Sequence, residues 1–280
     1  RTIIIDPWTV TPNFGNSNKI WDIDVDQTGN VYIYGGDTPL RLRKYNAAGA
    51  LQWTYNTPWD SANYWIGTMI THPVSGDCFI TAGTDPRIAR INSTTGAQMW
   101  NANGGALDEY WKFSFNCDYT RLMLGGTRLV LGPQLFPVGY GQVFEINMNN
   151  GSQLNTAPVA STTPGPLGLI DNPNEIRAMC YSPNGKYYYM TLDTIGVFND
   201  NLVLGYQNNH GYNFSYRVAG YGVTNQSINA MAATTDHLYT TNGSTLHKRN
   251  IVDGSIIGSV AIPNGVTSVE LGFASAQNGS

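Results

Sequence analysis

The 280-residue sequence repeats one unit five times, and this repetition constrains its fold more than any other feature. The clearest part of each unit is a β-hairpin signal, in which a short polar turn ending in glycine separates two strand-forming segments. Glycine at this position supplies the left-handed backbone that a bulged hairpin requires. The five turn glycines are Gly49, Gly96, Gly151, Gly211 and Gly254.

The first half of each unit also recurs, as an alternating strand, a turn and a second strand. Four short strands in about 45–60 residues are typical of a β-propeller blade, and stacked blades bury sheet faces that a single blade leaves exposed. A β-sandwich, the alternative all-β fold, has no such higher-order period. The sequence therefore predicts an all-β propeller with four-stranded blades at residues 19–56, 64–103, 109–159, 174–221 and 225–265.

The two ends of the sequence add single strands to these five units. Residues 266–280 resemble the start of another blade, and residues 1–10 resemble a closing strand. We therefore expect one propeller domain over residues 1–280, belonging to a larger protein whose propeller has six or seven blades. Two segments exceed the length of a minimal blade and are expected to be surface insertions: Thr127–Tyr140 and Ser152–Asn174.

The composition excludes several classes of protein. Only 12% of the residues are charged and the net charge is −4, so a dense basic surface for nucleic acid is not expected. No apolar run is long enough for a membrane-spanning helix. The surface polarity must come from neutral residues, as suits an extracellular protein. Cys78, Cys117 and Cys180 have no paired spacing and are expected to be small buried side chains, although one disulfide with a spare thiol stays open.

Motifs for catalysis and metal binding are missing from the sequence. It contains no phosphate-binding loop, nucleophile elbow or zinc-binding helix motif. The alternating Asp22, Asp24 and Asp26 begin like a calcium loop, but Gln27 and Ile33 stand where that loop needs glycine and a bidentate acid. We interpret the aspartates as one face of a strand. The remaining candidate acids define no catalytic pair: Asp108, Glu109, Asp171, Glu175 and Asp193. No metal, no cofactor and no enzymatic activity are expected.

The tryptophans follow the repeat. Trp53 and Trp100 each lie four residues after a hairpin glycine, which predicts packing between blades. A second set lies near the start of the first strand, and we hypothesise that it lines one mouth of the central channel beside a few polar groups. Aromatic and polar groups together suit carbohydrate or peptide binding. The predicted ligand-binding residues are Trp21, Asp22, Trp65, Trp111, Lys112 and Arg177.

The first 40 residues carry a more specific resemblance. After the opening RTIIIDPW, the segment from 19 to 36 contains the pattern D-x-x-G-N-V-Y-x-x-G. Its residues are Asp26, Gly29, Asn30, Val31, Tyr32 and Gly35. The pattern resembles the seven-bladed β-propeller repeats of secreted and cell-surface proteins of Bacteroidota, which resemble cargo of the type IX secretion pathway. The resemblance implies export to the cell surface or medium, and short matches imply O-glycosylation at Ser61 and Thr194.

These observations together predict a non-catalytic module of a secreted or cell-surface bacterial protein. It would act in adhesion, scaffolding or surface assembly, through contacts with other surface proteins, glycans or copies of itself. One alternative is a polysaccharide lyase or hydrolase, which a cluster of histidine, arginine and acids at a channel mouth would favour. Another is a passenger cargo or partner of an outer-membrane secretion machine. Neither nucleic acid nor a membrane-spanning segment is expected.

Overall fold

The computed structural model describes residues 13–15, 17, 19–59, 67–106, 108–131, 137–158, 175–192, 201–207, 212–218, 230–241 and 245–263. The chain divides into two compact units. The first comprises Arg1–Ala106 and Met148–Ser152, and the second comprises Leu107–Asn147 and Gln153–Ser280. The described residues form twenty strands in five four-stranded sheets.

The first unit contains two antiparallel sheets, and in each the strands pair in sequence order. The first sheet is β1 (Ile20–Val25), β2 (Val31–Gly36), β3 (Leu40–Tyr45) and β4 (Leu51–Asn56). The second sheet is β5 (Met69–Thr71), β6 (Cys78–Thr81), β7 (Arg87–Ile91) and β8 (Gln98–Asn103).

The second unit contains three more antiparallel sheets of the same kind. The third sheet is β9 (Asp108–Phe115), β10 (Leu122–Leu131), β11 (Pro137–Ile146) and β12 (Gln153–Pro158). The fourth is β13 (Glu175–Tyr181), β14 (Lys186–Leu192), β15 (Asn201–Gln207) and β16 (Tyr212–Val218). The fifth is β17 (Met231–Ala233), β18 (His237–Thr241), β19 (Thr245–Asn250) and β20 (Ile256–Ala261). The predicted all-β class with four-stranded repeats is confirmed.

The hairpins that join third and fourth strands have the predicted turn geometry. Gly49, Gly96, Gly151 and Gly254 adopt φ values of 80°, 69°, 76° and 77°, which lie in the left-handed region. The strand register shifts next to each of these turns, as a bulge requires. Gly211 lies outside the described residues.

Neighbouring sheets within a unit pack face to face. In the first unit, Tyr34 and Leu42 of the first sheet share a buried cluster with Ile80 and Ala89 of the second. The Tyr34 hydroxyl donates a hydrogen bond of 3.0 Å to the Thr81 carbonyl, so this aromatic side chain is buried without leaving its polar atom unpaired. Burying a side chain of this size contributes about 1.5–3 kcal/mol.

The fourth sheet shows why each sheet needs a neighbour on both faces. Successive strand residues point to opposite faces. Met179 packs with Met123 of the third sheet, whereas Cys180 packs with Met231 of the fifth. Both faces are therefore apolar.

One predicted surface insertion is largely regular structure. Thr127–Tyr140 was expected to be a surface insertion, but β10 and β11 continue through it and remain paired as far as Leu131 and Pro137. The described parts of this segment are therefore paired strands, and residues 132–136 lie outside the description. In the other predicted insertion, Ser152–Asn174, the first part forms β12 and residues 159–174 lie outside the described residues.

The first strand reverses the usual relation between hydropathy and burial. Ile23 and Val25 are 50% and 56% exposed, whereas Asp22 is only 8% exposed. The alternation correctly predicts a strand with its aspartates on one face. That face packs against the neighbouring sheet, because the carboxylates accept hydrogen bonds from it.

Candidate functional site

Three of the predicted ligand-binding residues occupy one equivalent position in their sheets. Trp21, Trp111 and Arg177 are each the unpaired residue of a bulge in a first strand. In the second sheet the equivalent position is Gly67. The residue that follows it, Thr68, accepts a hydrogen bond from the Thr81 amide through its carbonyl. A side chain at Gly67 would meet Tyr34 at 2.5 Å. The register therefore supports the repeat assignment of Trp21 and Trp111.

The two described indoles form hydrogen bonds within the protein. Trp21 is half-buried and donates from Nε1 to the Gly36 carbonyl at 3.2 Å. Trp111 is buried and donates from Nε1 to Thr127 Oγ1 at 3.0 Å. These contacts fix the rings against their own sheets.

Asp22 fastens the first sheet to the second. Its Oδ2 accepts hydrogen bonds from Thr68 Oγ1 at 2.8 Å and from the Met69 amide at 3.0 Å. Asp24 does the same one step along, where its Oδ2 accepts from the Thr71 amide at 2.7 Å. Charge-assisted hydrogen bonds of this kind are among the strongest in proteins. Asp22 is therefore part of the sheet-to-sheet contact.

The rest of the predicted channel-mouth set stays a prediction. Lys112 is half-buried at the register position equivalent to Asp22. Arg177 lies in β13, but its side chain is outside the description, as are Trp65, Ser61 and Thr194. The set divides between the two units. Trp21, Asp22 and Trp65 belong to the first unit, and Trp111, Lys112 and Arg177 belong to the second.

The turn after β1 is organised around the Asp26 carboxylate. It accepts hydrogen bonds from Thr28 and Asn30 at 2.7–3.0 Å and from the Tyr32 hydroxyl at 2.9 Å. Burial opposes ionisation of Asp26, but these hydrogen bonds outweigh it and lower its pKa from 3.8 to about 2. Burial, together with the bond to Asp26, raises the pKa of the Tyr32 hydroxyl, which therefore stays protonated and donates.

This pKa shift makes stability depend on pH in the acid range. A carboxyl whose pKa is lower in the folded state stabilises the fold above its unfolded pKa and loses that contribution as the pH falls through about 4 toward about 2. We expect Asp26→Asn to cost about 2 kcal/mol at pH ~6, and the difference from the native chain to shrink at pH ~2.5. Urea unfolding of both proteins at the two pH values measures this. A difference that is unchanged between them would contradict the assignment.

In the first unit, a cation and an indole on neighbouring strands donate to the same backbone carbonyl, and this arrangement occurs twice. Lys44 Nζ and Trp53 Nε1 both donate to the Ser93 carbonyl at 2.9 Å. Arg90 and Trp100 make the same contacts to the Met148 carbonyl at 2.8 and 2.9 Å. We call such a pair, a cation on the third strand and an indole on the fourth, the cation–indole latch.

The latch also packs on the turn glycine. Carbon atoms of the Trp53 ring lie 2.8–3.0 Å from where a Cβ on Gly96 would stand, and Trp100 lies 2.6 Å from that position on Gly151. In each latch the cation lies over an aromatic ring of the second strand, Lys44 over Tyr32 at 5.4 Å and Arg90 over Phe79 at 5.5 Å. The predicted inter-sheet packing of the two tryptophans is confirmed.

The cations of the latch were not predicted from the sequence. Lys44 and Arg90 each stand two residues before an asparagine that opens the hairpin turn. A lysine or arginine two residues before the turn asparagine, followed by the turn glycine, is the sequence signal that predicts these cations. Arg90 also donates from Nε and Nη2 to Asp77 Oδ2 at 3.1 and 2.6 Å, while Asp77 Oδ1 accepts from the Ser93 amide. Lys44, Arg90 and Asp77 therefore all form contacts that stabilise the packing of the first unit.

Charged groups of the second unit are engaged in a similar way. Arg128 binds the buried Asp108 carboxylate in a bidentate pair at 2.8 and 3.0 Å. Arg121 binds Glu145 at 2.7 and 2.6 Å. Paired guanidinium and carboxylate groups of this geometry hold adjacent strands together.

A small depression of about 170 Å³ lies between two turns of the second unit. Asn116–Asp118 line one side, and Tyr181–Pro183 with Gly185 line the other. Cys117 is exposed here, whereas Cys78 and Cys180 are buried, so the expectation of a buried side chain is wrong for Cys117 alone. All three are free thiols. Partial desolvation of the thiol and the charge of the neighbouring Asp118 raise the pKa of Cys117, which keeps it protonated at neutral pH.

The fourth strands of the first unit present a repeated row of neutral side chains. In β4 the exposed residues on one face are Gln52, Thr54 and Asn56, and in β8 they are Met99, Asn101 and Asn103. We call these six residues the neutral stripe. In the second unit, β20 exposes Ile257, Ser259 and Ala261 at the equivalent positions. The sequences of β4, β8, β12 and β20 contain no charged residue.

Metal-binding clusters and membrane-spanning helices were both sought among the described residues. Among them, no group of three or more histidine, cysteine or acidic side chains is placed to hold a metal ion. No helix in this part of the chain is long and apolar enough to cross a membrane.

Solved structures share this architecture. Hydrazine synthase of Kuenenia stuttgartiensis is 10% identical with a TM-score of 0.57, and the match covers 83% of this chain and 65% of that chain. A chain of the mitotic checkpoint complex is 11% identical with a TM-score of 0.56, covering 93% and 75%. The C-terminal WD40 domain of Sif2 is 9% identical with a TM-score of 0.55, covering 86% and 59%.

These likenesses establish the class of protein. The chain is an all-β protein of the β-propeller class, built from four-stranded antiparallel sheets, because WD40 domains are propellers of such blades. The chain spans about two thirds of the hydrazine synthase chain that it resembles, and identities near 10% show the fold alone. No protein-family description and no curated protein matches the sequence.

Proposed function

We propose that this propeller is a non-catalytic module of a secreted or cell-surface bacterial protein, acting in adhesion, scaffolding or surface assembly. Its contacts are with neighbouring proteins or glycans, and its contact surface in the first unit is the neutral stripe. The single observation that carries the proposal is the repetition of this stripe on adjacent sheets.

The chemistry of the stripe favours weak, repeated contacts. Gln52, Thr54, Asn101 and Asn103 offer amide and hydroxyl groups that both donate and accept hydrogen bonds. Met99 adds an adaptable apolar side chain that is 48% exposed. Exposed neutral side chains recur at equivalent positions of β4 and β8, so a ligand with its own repeat can bind at two places. Two linked contacts bind more tightly than one because the first raises the effective concentration for the second.

The edges of these strands are also unusual. Proteins commonly protect exposed sheet edges with charged side chains, lysine above all. The sequences LQWTYN of β4 and QMWNAN of β8 carry none. A surface that lacks this protection is suited to contact with another polypeptide or a neutral polysaccharide.

The turn after β1 supports placing the chain among exported propeller-repeat proteins of Bacteroidota. The polar residues of the pattern, Asp26, Asn30 and Tyr32, form one hydrogen-bonded turn. The pattern thus has a structural role in the first sheet, and such a role is consistent with its recurrence in repeats of this kind. Export to the cell surface and a role as secretion cargo remain part of this proposal.

The proposal is tested with matched charge variants of the first unit. Met99→Lys, Asn101→Lys and Asn103→Lys together place three cations on the stripe without touching a buried residue. We expect binding to a polysaccharide array, or to immobilised outer-membrane vesicles of a Bacteroidota species, to weaken at least about tenfold. Binding of the native chain should change little between ~0.1 and ~1 M salt, since neutral contacts are not screened.

The control carries the same added charge in turns of the same unit. Gln27→Lys, Val74→Lys and Thr94→Lys are all at exposed positions and should bind like the native chain. If both triple variants lose binding equally, net charge rather than the stripe governs the contact, and the assigned surface is wrong.

A further inference from the structure

The hairpin turn of the first sheet has the features of a latch acceptor. In the two described latches, the acceptor is the carbonyl of the residue after the turn asparagine, Ser93 after Asn92 and Met148 after Asn147. The equivalent residue in the first sheet is Ala47, after Asn46. Within the described part of the chain, no hydrogen bond is made to the Ala47 carbonyl.

The asparagine side chain of this turn makes hydrogen bonds like those of an occupied acceptor. Asn46 Oδ1 accepts from the Ala48 and Ala50 amides at 3.1 and 2.9 Å, as Asn92 Oδ1 accepts from two amides of its own turn. The turn is one residue shorter, and Gly49 keeps the left-handed φ of 80°. Gly49 therefore offers backbone without a Cβ to an indole ring.

A neighbouring turn completes the likeness. A Cβ on Gly29 would lie 3.4 Å from the Ala47 Cβ, and a Cβ on Gly76 would lie 3.1 Å from the Ser93 Cβ in the second sheet. In both sheets, the turn between the first two strands therefore lies against the turn that holds the acceptor residue.

Exposure distinguishes this turn from the occupied ones. Gly96 and Gly151, which carry the Trp53 and Trp100 rings, are buried. Gly49 is half-exposed, and the adjacent Ala47 and Ala48 are exposed. The first sheet therefore presents an acceptor surface, Asn46–Ala50 with Gly29, whose carbonyl and glycine are more accessible than those of the two occupied turns.

We propose that this surface docks a β-hairpin of a partner protein that carries lysine or arginine on one strand and tryptophan directly across on the next. The cation and the indole N–H both donate to the Ala47 carbonyl, and the indole ring packs on Gly49. A carbonyl has two lone pairs and therefore accommodates both donors. The inference rests on the proposed scaffolding function and assigns one contact of the scaffold.

A second copy of the chain is a poorer occupant. The described cation–indole pairs, Lys44 with Trp53 and Arg90 with Trp100, already bind turns of their own unit. In the fifth sheet, Lys248 of β19 pairs in register with Gly258, so the indole of a latch is missing there. The chemistry of the surface thus favours a hairpin from a different polypeptide.

The test uses the full 280-residue chain and a defined probe. The probe is a synthetic peptide copying residues 87–103, closed by a disulfide between added terminal cysteines so that the hairpin is held. Titration into the isotope-labelled chain should move the ¹³C carbonyl resonance of Ala47 and the amides of Ala48, Gly49 and Gly29. A peptide carrying Arg90→Ala and Trp100→Ala should bind at least about tenfold more weakly, because both donors and the ring are removed.

Matched variants of the chain locate the contact. Ala48→Lys places a cation beside the acceptor and should abolish binding of the peptide. Thr94→Lys makes the same change on the occupied turn and should leave binding unchanged. No binding, or binding that leaves the Ala47 carbonyl resonance in place, overturns the proposal. So does self-association in sedimentation velocity that Ala48→Lys abolishes, because the occupant is then a second copy.

The two proposals fail separately in this design. If the peptide does not bind but charges on the neutral stripe still abolish binding to vesicles or polysaccharide, the docking surface is wrong and the scaffolding function stands. If the peptide binds and the stripe variants have no effect, the stripe is wrong and the docking surface stands.

Discussion

Replacing Gly96 with alanine is expected to lower the free energy of unfolding by about 3–4 kcal/mol. Two effects combine, because φ at this residue is +69° and a Cβ would stand 2.8 Å from the Trp53 ring. Left-handed backbone costs a residue with a Cβ about 1–2 kcal/mol, and overpacking adds about 1–3 kcal/mol. Urea unfolding followed by tryptophan fluorescence measures the loss.

Gly185→Ala provides the matched control. Gly185 has φ of +80°, and nothing lies within 4 Å of its added Cβ, so only the backbone term applies. We expect a loss of about 1 kcal/mol. Equal losses for the two substitutions would mean that the indole does not press on Gly96, and the latch would lose its main packing contact.

Replacing Asp22 with alanine is expected to cost about 3 kcal/mol. The carboxylate is 8% exposed and accepts from Thr68 Oγ1 and the Met69 amide, which would be left buried without an acceptor. A hydrogen bond to a charged group contributes about 1.5–3 kcal/mol, and an unsatisfied buried donor costs a similar amount. Thermal or urea unfolding of the variant gives the value.

A half-exposed aspartate, Asp37 beside β2, provides the comparison. Asp37 forms a surface ion pair of 3.3 Å with Lys19, and such pairs contribute about 0–1 kcal/mol. Asp37→Ala should therefore change stability by less than about 1 kcal/mol. If Asp22→Ala were as mild as this control and instead weakened ligand binding, Asp22 would act as a ligand group and not as a fastener of sheets.

The fold was predictable because its signals are local and repeated. The glycine of each third-to-fourth-strand turn is required by backbone sterics, so Gly49, Gly96, Gly151 and Gly254 could be read without knowing what surrounds them. The paired strand extensions within Thr127–Tyr140 were not predicted, because a length excess over the repeat does not distinguish a loop from a longer strand pair.

The roles of the polar residues were less predictable, because they depend on contacts between sheets. Alternation placed Asp22, Asp24 and Asp26 on one face, but burial of that face depends on amides more than forty residues away, in β5. Trp53 and Trp100 were recognised as packing residues from their spacing. Their partners Lys44 and Arg90 lie on a different strand, and only the register brings them to the same carbonyl.

The most direct test of the proposed function measures binding and turnover in one sample. The chain is incubated with the polysaccharide or vesicle fraction that it binds best, and the bound fraction, the reducing ends and the unsaturated sugar products are followed together. A non-catalytic module predicts saturable binding with no accumulation of products over many hours. Products that accumulate in proportion to the amount of chain would contradict the account and identify the propeller as an enzyme.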